Sequence, residues 1–357
     1  MTTAVVSHVR EIAVSAGRTL KTTPVYDTYW GFAAKRQDLF MRRVAGMPPP
    51  WSDDPVIAVH RFTNAYRAAD RVSQYLIHHV VYDGVQAVEE VFFRTLLFKL
   101  FNRIETWEQL TSKLGTLTWR QFDFERYGRV LDAMIGRGER VYSAAYIMPS
   151  PSFGSERKHR NHLRLLDHMM RDGAPRRIAQ ACSLPEVFEI LRSYPSLGDF
   201  LAFQFTIDLN YSEIIDFSEM DFVVAGPGAR DGIRKCFSDT AGLSESEVIR
   251  IVAERASAEF ERLELPFQTL WGRPLQLIDC QNLFCEVDKY SRVVHPEFQG
   301  DSGRTRIKQR FTARPEPLPQ WYPPKWGLNI TASAVRPQSV APHAPQQRLL
   351  ALHASVR

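Results

Sequence analysis

The chain has 357 residues, 44% of them hydrophobic, with 45 basic and 40 acidic side chains giving a net charge of +5. That is enough for a sizeable core in one large domain or two, and the mild positive balance permits an anionic partner without requiring one. No apolar run approaches the roughly 18 residues of a membrane span, and Arg10, Glu11 and Arg18 interrupt any signal-peptide core, which points to a cytoplasmic protein.

In chain order, residues 1–23 read as a loose leader. Tyr26 to Arg43 has helical spacing, and the four prolines in and around "GMPPPWSDDP" break it. Phe62 to Val80 is strongly helical, as is 86–102, where Phe92, Leu96, Leu97 and Leu100 face inward. "TWEQL" and "TWRQFDFERYGRVLDAMI" are shorter helical pieces, and "RVYSAAYIMPSPSFGS" is the best candidate for a strand or extended segment. The basic stretch "RKHRNHLRLLDHMMRDGAPRR" follows, readable as a solvated helix face or as a tracker of nucleic-acid backbone. Further helices are expected in "LPEVFEILRSY", "SLGDFLAFQFTIDLNYSEI" and "SESEVIRIVAERASAEFERLE", the last with Ser244 and Glu247 at capping-box spacing. The chain turns basic and proline-rich after about 300, and 331–357 reads as a disordered tail. The fold class is therefore mostly α, with many helices and little sheet. The four cysteines, Cys182, Cys236, Cys280 and Cys285, show no metal-ligand spacing, so neither a metal nor a cofactor is expected.

Two polar patterns stand out on apolar segments. Asn64, Arg67, Arg71, Gln74 and His78 recur at spacings of three and four, forming a polar stripe opposite Phe62, Tyr66 and Leu76. Arg67 and Arg71 repel one another one turn apart, so something negative belongs between them: a carboxylate such as Asp70, or a phosphate held by two guanidinium groups. In the nearly all-apolar "FLAFQFTIDLNYSE", Asp208 must be paired or protonated, because a lone buried carboxylate is costly. Arg67 or Arg71 is its expected partner.

"DFVVAGPGARDGIRK" carries a glycine turn. It is not a P-loop, since no GxxxxGK[ST] string occurs, and GxGxxxG is one residue too long for a dinucleotide fingerprint. A plain helix cap and a helix–hairpin–helix gripping a DNA phosphate both remain.

"VVAGPGARDG" resembles the hairpin of helix–hairpin–helix DNA glycosylases, and "EVDKYSRVV" resembles the segment carrying their catalytic aspartate, which puts Asp288 at that position. Arg230 stands where bifunctional members carry a Schiff-base lysine, so lyase chemistry is not expected. A broader resemblance covers residues 24–330. "RFTNAYRAADRVSQYLI", "FRTLLFKLFNRIETWE", "FLAFQFTIDLNYSE", "DFVVAGPGARDGIRK" and "NLFCEVDKYSR" together resemble a DNA base hypermodification family. That family comprises the helical domain of 5-hydroxymethyluracil DNA kinases and the α-glutamyl/putrescinyl-thymine pyrophosphorylases.

The resemblance implies a glycosylase-like helical domain over 24–330, in two lobes around a DNA cleft. It implies a transferase that replaces a (pyro)phosphate on the methylene of a flipped 5-hydroxymethyl-pyrimidine by an amine or amino acid. Asp288 is then the first catalytic candidate, with Asp208 and Glu286 behind it. Arg67, Arg71, Asn64, Gln74 and Lys289 would hold the phosphate, and Gly226, Gly228, Arg230, Arg234 and Lys235 the DNA backbone. The alternatives are a monofunctional glycosylase using Asp288, or a non-catalytic DNA-binding partner of a separate P-loop DNA kinase.

Overall fold

A computed structural model describes residues 9–14, 17–313 and 320–328; the tail expected from 331 lies outside them. Helix α1 (Pro24–Val44) opens on Thr23, whose hydroxyl accepts from Val25 N, with Pro24 at the first helical position. Helix α2 (Pro55–Val59) is capped by Asp54. An irregular stretch leads to a 3-10 turn (Arg67–Ala69), to α3 (Arg71–Tyr75) and to a π-helical turn (Leu76–Val81). Then follow α4 (Val88–Phe101), α5 (Ile104–Leu114), α6 (Phe124–Gly136), α7 (Lys158–Arg171), α8 (Ala174–Ala179), α9 (Leu184–Arg192) and α10 (Asp199–Asn210). The last helices are α11 (Pro227–Cys236), α12 (Glu245–Arg262) and α13 (Leu277–Val294). Strands β1 (Glu11–Ala13), β2 (Thr19–Thr22) and β3 (Phe237–Asp239) form one small antiparallel sheet in the order β1-β2-β3.

The chain is mostly α, as its periodicities predict, and Ser244 and Glu247 form the predicted capping box on α12. Four expectations change. The described part of the leader is not loose, because β1 and β2 pair with each other and with β3. The span 140–155 contains no strand. The sequence reading assigns no element to 277–294, yet these residues form α13, whose N-terminus is a capping box of Gln276 and Asp279. The predicted helix from Phe62 is broken, for reasons given below.

The helices sort into two packed groups that share one apolar core. Helices α4 to α10 form one, and α1, α11, α12 and α13 the other. Residues 60–81 run between them, touching α13 on one side and α4 on the other. Among the described residues, no helix is long and apolar enough to cross a membrane.

The glycine turn explains itself in the pairing of α11 with α13. No helix precedes it closely, since α10 ends at Asn210 and 211–226 are without helix, so 221–235 is not a helix–hairpin–helix. Gly226 is the N-cap of α11, buried under the Phe200 ring, which a Cβ there would meet at 2.8 Å. A Cβ at Gly228 would lie 2.4 Å from Cys285 Sγ, and one at Gly232 2.1 Å from the backbone oxygen of Phe284. The glycines are there so that two helices can approach backbone to backbone.

Candidate functional site: a buried cationic centre

The centre begins with the broken helix. An unbroken helix would give the Arg67 N–H to Thr63 O. Instead Arg67 N donates to Asp279 Oδ1 at 2.7 Å, and Thr63 O accepts from Arg36 Nε at 2.9 Å. Thr63 N donates to Glu286 Oε2 at 3.0 Å and Asn64 N to Asp70 Oδ1 at 2.8 Å. Three carboxylates thus take three backbone amides of an irregular, largely buried segment. Bonds to carboxyl oxygens, charge-assisted wherever the acid is ionised, outweigh the neutral helical ones they replace.

The segment so held directs Arg67 inward. Its guanidinium reaches Asp208 Oδ1 at 2.8 Å, Gln204 Oε1 at 3.1 Å and the Tyr211 hydroxyl at 3.0 Å. Lys99 from α4 reaches Asp208 Oδ2 at 3.0 Å and Asn102 Oδ1 at 2.9 Å. The side chains of Arg67, Lys99 and Asp208 are 4%, 3% and 1% exposed. Burial opposes the Arg67 charge, but Asp208 and Tyr211 outweigh it and hold the guanidinium above its ordinary range. Two cations share one carboxylate, so the contact set carries one surplus positive charge away from water. Polar capacity is also left over. Both Asp208 oxygens are met by the two cations, but Gln204 Nε2 has no hydrogen-bond partner among the described residues. Buried polar atoms are normally satisfied, so this unpartnered amide beside two cations is a candidate contact for a ligand.

Two irregular segments cover the centre. Tyr146 lies over Lys99 with its ring centroid 4.8 Å from Nζ, and its hydroxyl donates to Gln204 Oε1 at 3.3 Å. From the other side, residues 320–328 form a strap. Trp321 N donates to Gln74 Oε1 at 2.7 Å, Lys325 Nζ donates to Ser212 O and Ile215 O, and the Trp326 ring packs edge-on against Tyr211.

The site residues predicted from sequence divide accordingly. Arg67 and Asp208 meet, as the cost of a buried carboxylate required. The stripe with Arg71 does not form: Arg71 turns outward, 3.9 Å from Glu105. Asn64 and Gln74 are occupied with the backbone oxygens of Ala69 and Ala68. Lys289 binds Glu286 at 2.7 Å and donates to Arg61 O. Asp288 is closed between Lys235 Nζ at 2.9 Å and the Arg292 guanidinium, so it ties α11 to α13 and has no open face for a substrate. Lys235 is therefore buried and not directed at a DNA backbone; Arg230 and Arg234 are exposed, Arg234 beside Asp301 at 3.0 Å. Tyr211 and Tyr290 are core residues whose hydroxyls meet Arg67 and Asp54.

Lys99, Tyr146 and Asp279 are the functional candidates the sequence reading missed, and Asp70 was named there only as a counterion. Only Lys99 left a signal, a single cation inside the apolar run "TLLFKLF". In the basic stretch at α7, Arg157 and Arg160 are neutralised by Asp132.

Burial pushes the Asp70 carboxyl up to about 7, with Glu286 adding to the rise and Asn64, Arg36 and Arg67 opposing it. Burial likewise pushes Asp279 up to about 7. An unfolded Asp titrates near ~4, so between roughly pH 4 and 7 the unfolded chain has lost a proton that folded Asp70 keeps. Its contribution to stability therefore falls as pH rises across that window. Asp70→Asn keeps the acceptor for Asn64 and removes the titration. Urea midpoints should show the variant gaining on the parent from pH 4 to 7 and levelling above. A difference that is flat with pH would mean Asp70 titrates as in water.

Residues 23–300 match the family described as 5-hmdU DNA kinase, helical domain. The chain belongs to that family. It is also similar to the 5-hmdU DNA kinase of Bacillus phage SP10, 28% identical over 289 residues. That alignment takes in 74% of this chain and 45% of the phage protein, so the chain spans less than half of its relative's length. No solved structure matches it. The family match includes the whole of the buried centre except the strap at 320–328.

Proposed function

We propose that this helical domain acts on a 5-hydroxymethyl-pyrimidine derivative in DNA, and that the Arg67–Lys99 centre receives the anionic group on the base methylene. The observation that carries the reading is the surplus of buried positive charge beside an unpartnered Gln204 amide. The reaction it suits is replacement of pyrophosphate by an amine. The amine nitrogen bonds to the methylene carbon while the carbon–oxygen bond breaks. Pyrophosphate leaves with the electron pair, and the amine proton passes to a carboxylate. Arg67 and Lys99 oppose the leaving group's charge in a dry site, where fixed charges act most strongly. Asp70, near neutrality and held against Asn64, takes the proton in place of the closed Asp288. The base reaches the centre once Tyr146 and the strap move aside.

The closure of the centre favours one second reading, a non-catalytic DNA-binding partner of a separate DNA kinase with an ion cluster that only stiffens the fold. Nucleoside mass spectrometry after incubation with 5-(pyrophosphomethyl)uracil DNA and an amine separates the readings. A changed nucleoside with released pyrophosphate is the expected result. Free base with abasic sites would mean a glycosylase, and bound but unchanged DNA the non-catalytic partner. Lys99→Met sharpens the test, because it leaves Arg67 and Asp208 as a balanced pair. Turnover should fall at least tenfold while the urea midpoint changes little. A midpoint that drops with turnover intact would make Lys99 structural.

A further inference from the structure

Helices α5 and α6 pack side by side and leave a groove of about 300 Å³ on their outer faces. Leu114 and Val130 line its floor, and Lys113, Arg126, Arg129 and Arg137 its walls. All four cations are exposed. Arg126, Arg129 and Arg137 fall on one face near α6, spanning about 16 Å at 1.5 Å per residue. Among the described residues, only Arg137 of the four has a carboxylate partner, Glu139 at 2.6 Å, and none of the groove-lining residues is acidic. The acids nearest the α6 arginines are engaged elsewhere: Glu125 pairs with Arg160 on α7, Asp132 with Arg157 and Arg160, and Asp123 caps α6 through the Arg126 amide. The contrast with the neighbouring surface is direct, since Arg171, Arg177 and Arg192 each sit on a carboxylate. A row of like charges at helical spacing is mildly self-repelling, and within the described fold only Glu139, at the Arg137 end, relieves it.

We infer that the α5–α6 groove grips the phosphate backbone of the DNA whose base enters the Arg67–Lys99 centre. The inference rests on the DNA-modification reading above. A linear row of cations matches an evenly charged strand better than it matches a compact anion. Its position also fits: α5 starts three residues after Asn102's neighbour Phe101 closes α4, the helix that carries Lys99, and α5 is about 16 Å long.

The test uses the full chain and fluorescence anisotropy with labelled duplexes, one containing 5-(pyrophosphomethyl)uracil and one unmodified, over a salt series, with nucleoside mass spectrometry of the same samples after an amine is added. The triple variant Lys113→Gln, Arg126→Gln, Arg129→Gln should bind both duplexes at least tenfold more weakly. Its plot of log affinity against log salt should be shallower by about 2 to 3, since each phosphate contact contributes about 0.9. An unchanged thermal melt would show that the variant is folded. If the variant binds DNA as the parent does, with the same salt slope, the groove is not the DNA contact and the base-modification reading stands. If the groove residues carry binding but the parent does not distinguish the two duplexes and leaves the modified base unaltered, the groove assignment stands and that reading falls. Failure of the parent to bind either duplex overturns both. Retention of a polyglutamate peptide through the same three residues, with no DNA binding, would assign the groove to an acidic protein instead.

Discussion

Replacing Asp208 with alanine is expected to remove about 3–5 kcal/mol of folding stability, the cost of leaving buried charges without their counterion. Arg67 and Lys99 would face one another with no carboxylate between them, both on the inside of the protein. They cannot retreat to water, because Arg67 is pinned at its amide by Asp279 and Lys99 extends from the buried face of α4. Asp208→Asn should behave nearly as badly, since its amide restores shape but not charge. Urea denaturation provides the measurement, with Lys99→Met as the control that keeps the charges balanced. A loss below about 1 kcal/mol for Asp208→Ala would show that water reaches the centre in the native state, since exposed pairs are worth no more than that.

The second large effect separates two glycines that look alike in the sequence. Gly232→Ala should cost several kcal/mol, because its Cβ would sit 2.1 Å from the Phe284 oxygen and 2.7 Å from the Phe284 carbonyl carbon. Both are main-chain atoms of α13, so relief requires the two helices to part, with the overpacking cost that entails. Parting them would also strain the Lys235–Asp288–Arg292 cluster that ties α11 to α13. Gly31 lies mid-way along α1, and a Cβ there meets nothing within 4 Å. Gly31→Ala should therefore stabilise the protein by up to about 1 kcal/mol through helix propensity alone. Thermal melts of the two variants should shift in opposite directions. Equal shifts would mean that α11 and α13 are not in backbone contact.

Both results bear on what "DFVVAGPGARDGIRK" means. Spacing rules removed two nucleotide-loop readings. Neither of the readings left open accounts for Gly228 and Gly232, whose role is to admit the neighbouring helix. A glycine needed for close approach and a glycine needed for a turn are the same letter, and only the partner surface tells them apart. The aspartates show the same limit. Asp208 and Asp288 were both recognisable as important carboxylates, and each is met by two cations. Asp208's cations come from the segment at 67 and from α4 and meet on α10, whereas Lys235 and Arg292 join α11 to α13 through Asp288. Nothing in the local sequence distinguishes those surroundings.

By itself the sequence determined the helical class, most helix positions, the cap on α12 and the pairing of Asp208 with an arginine. These follow from local periodicity, from side-chain bonds within one turn, or from the cost of an unpaired buried charge, which any fold must meet. The tertiary structure alone decided that the helix from Phe62 breaks, that Lys99 joins Arg67, and that Arg71 does not. The break depends on Asp279 and Glu286, which lie more than 200 positions along the chain and take amides that local rules assign to the helix. Long-range charge-assisted bonds override a short-range periodicity of smaller energy, and the buried centre exists because they do.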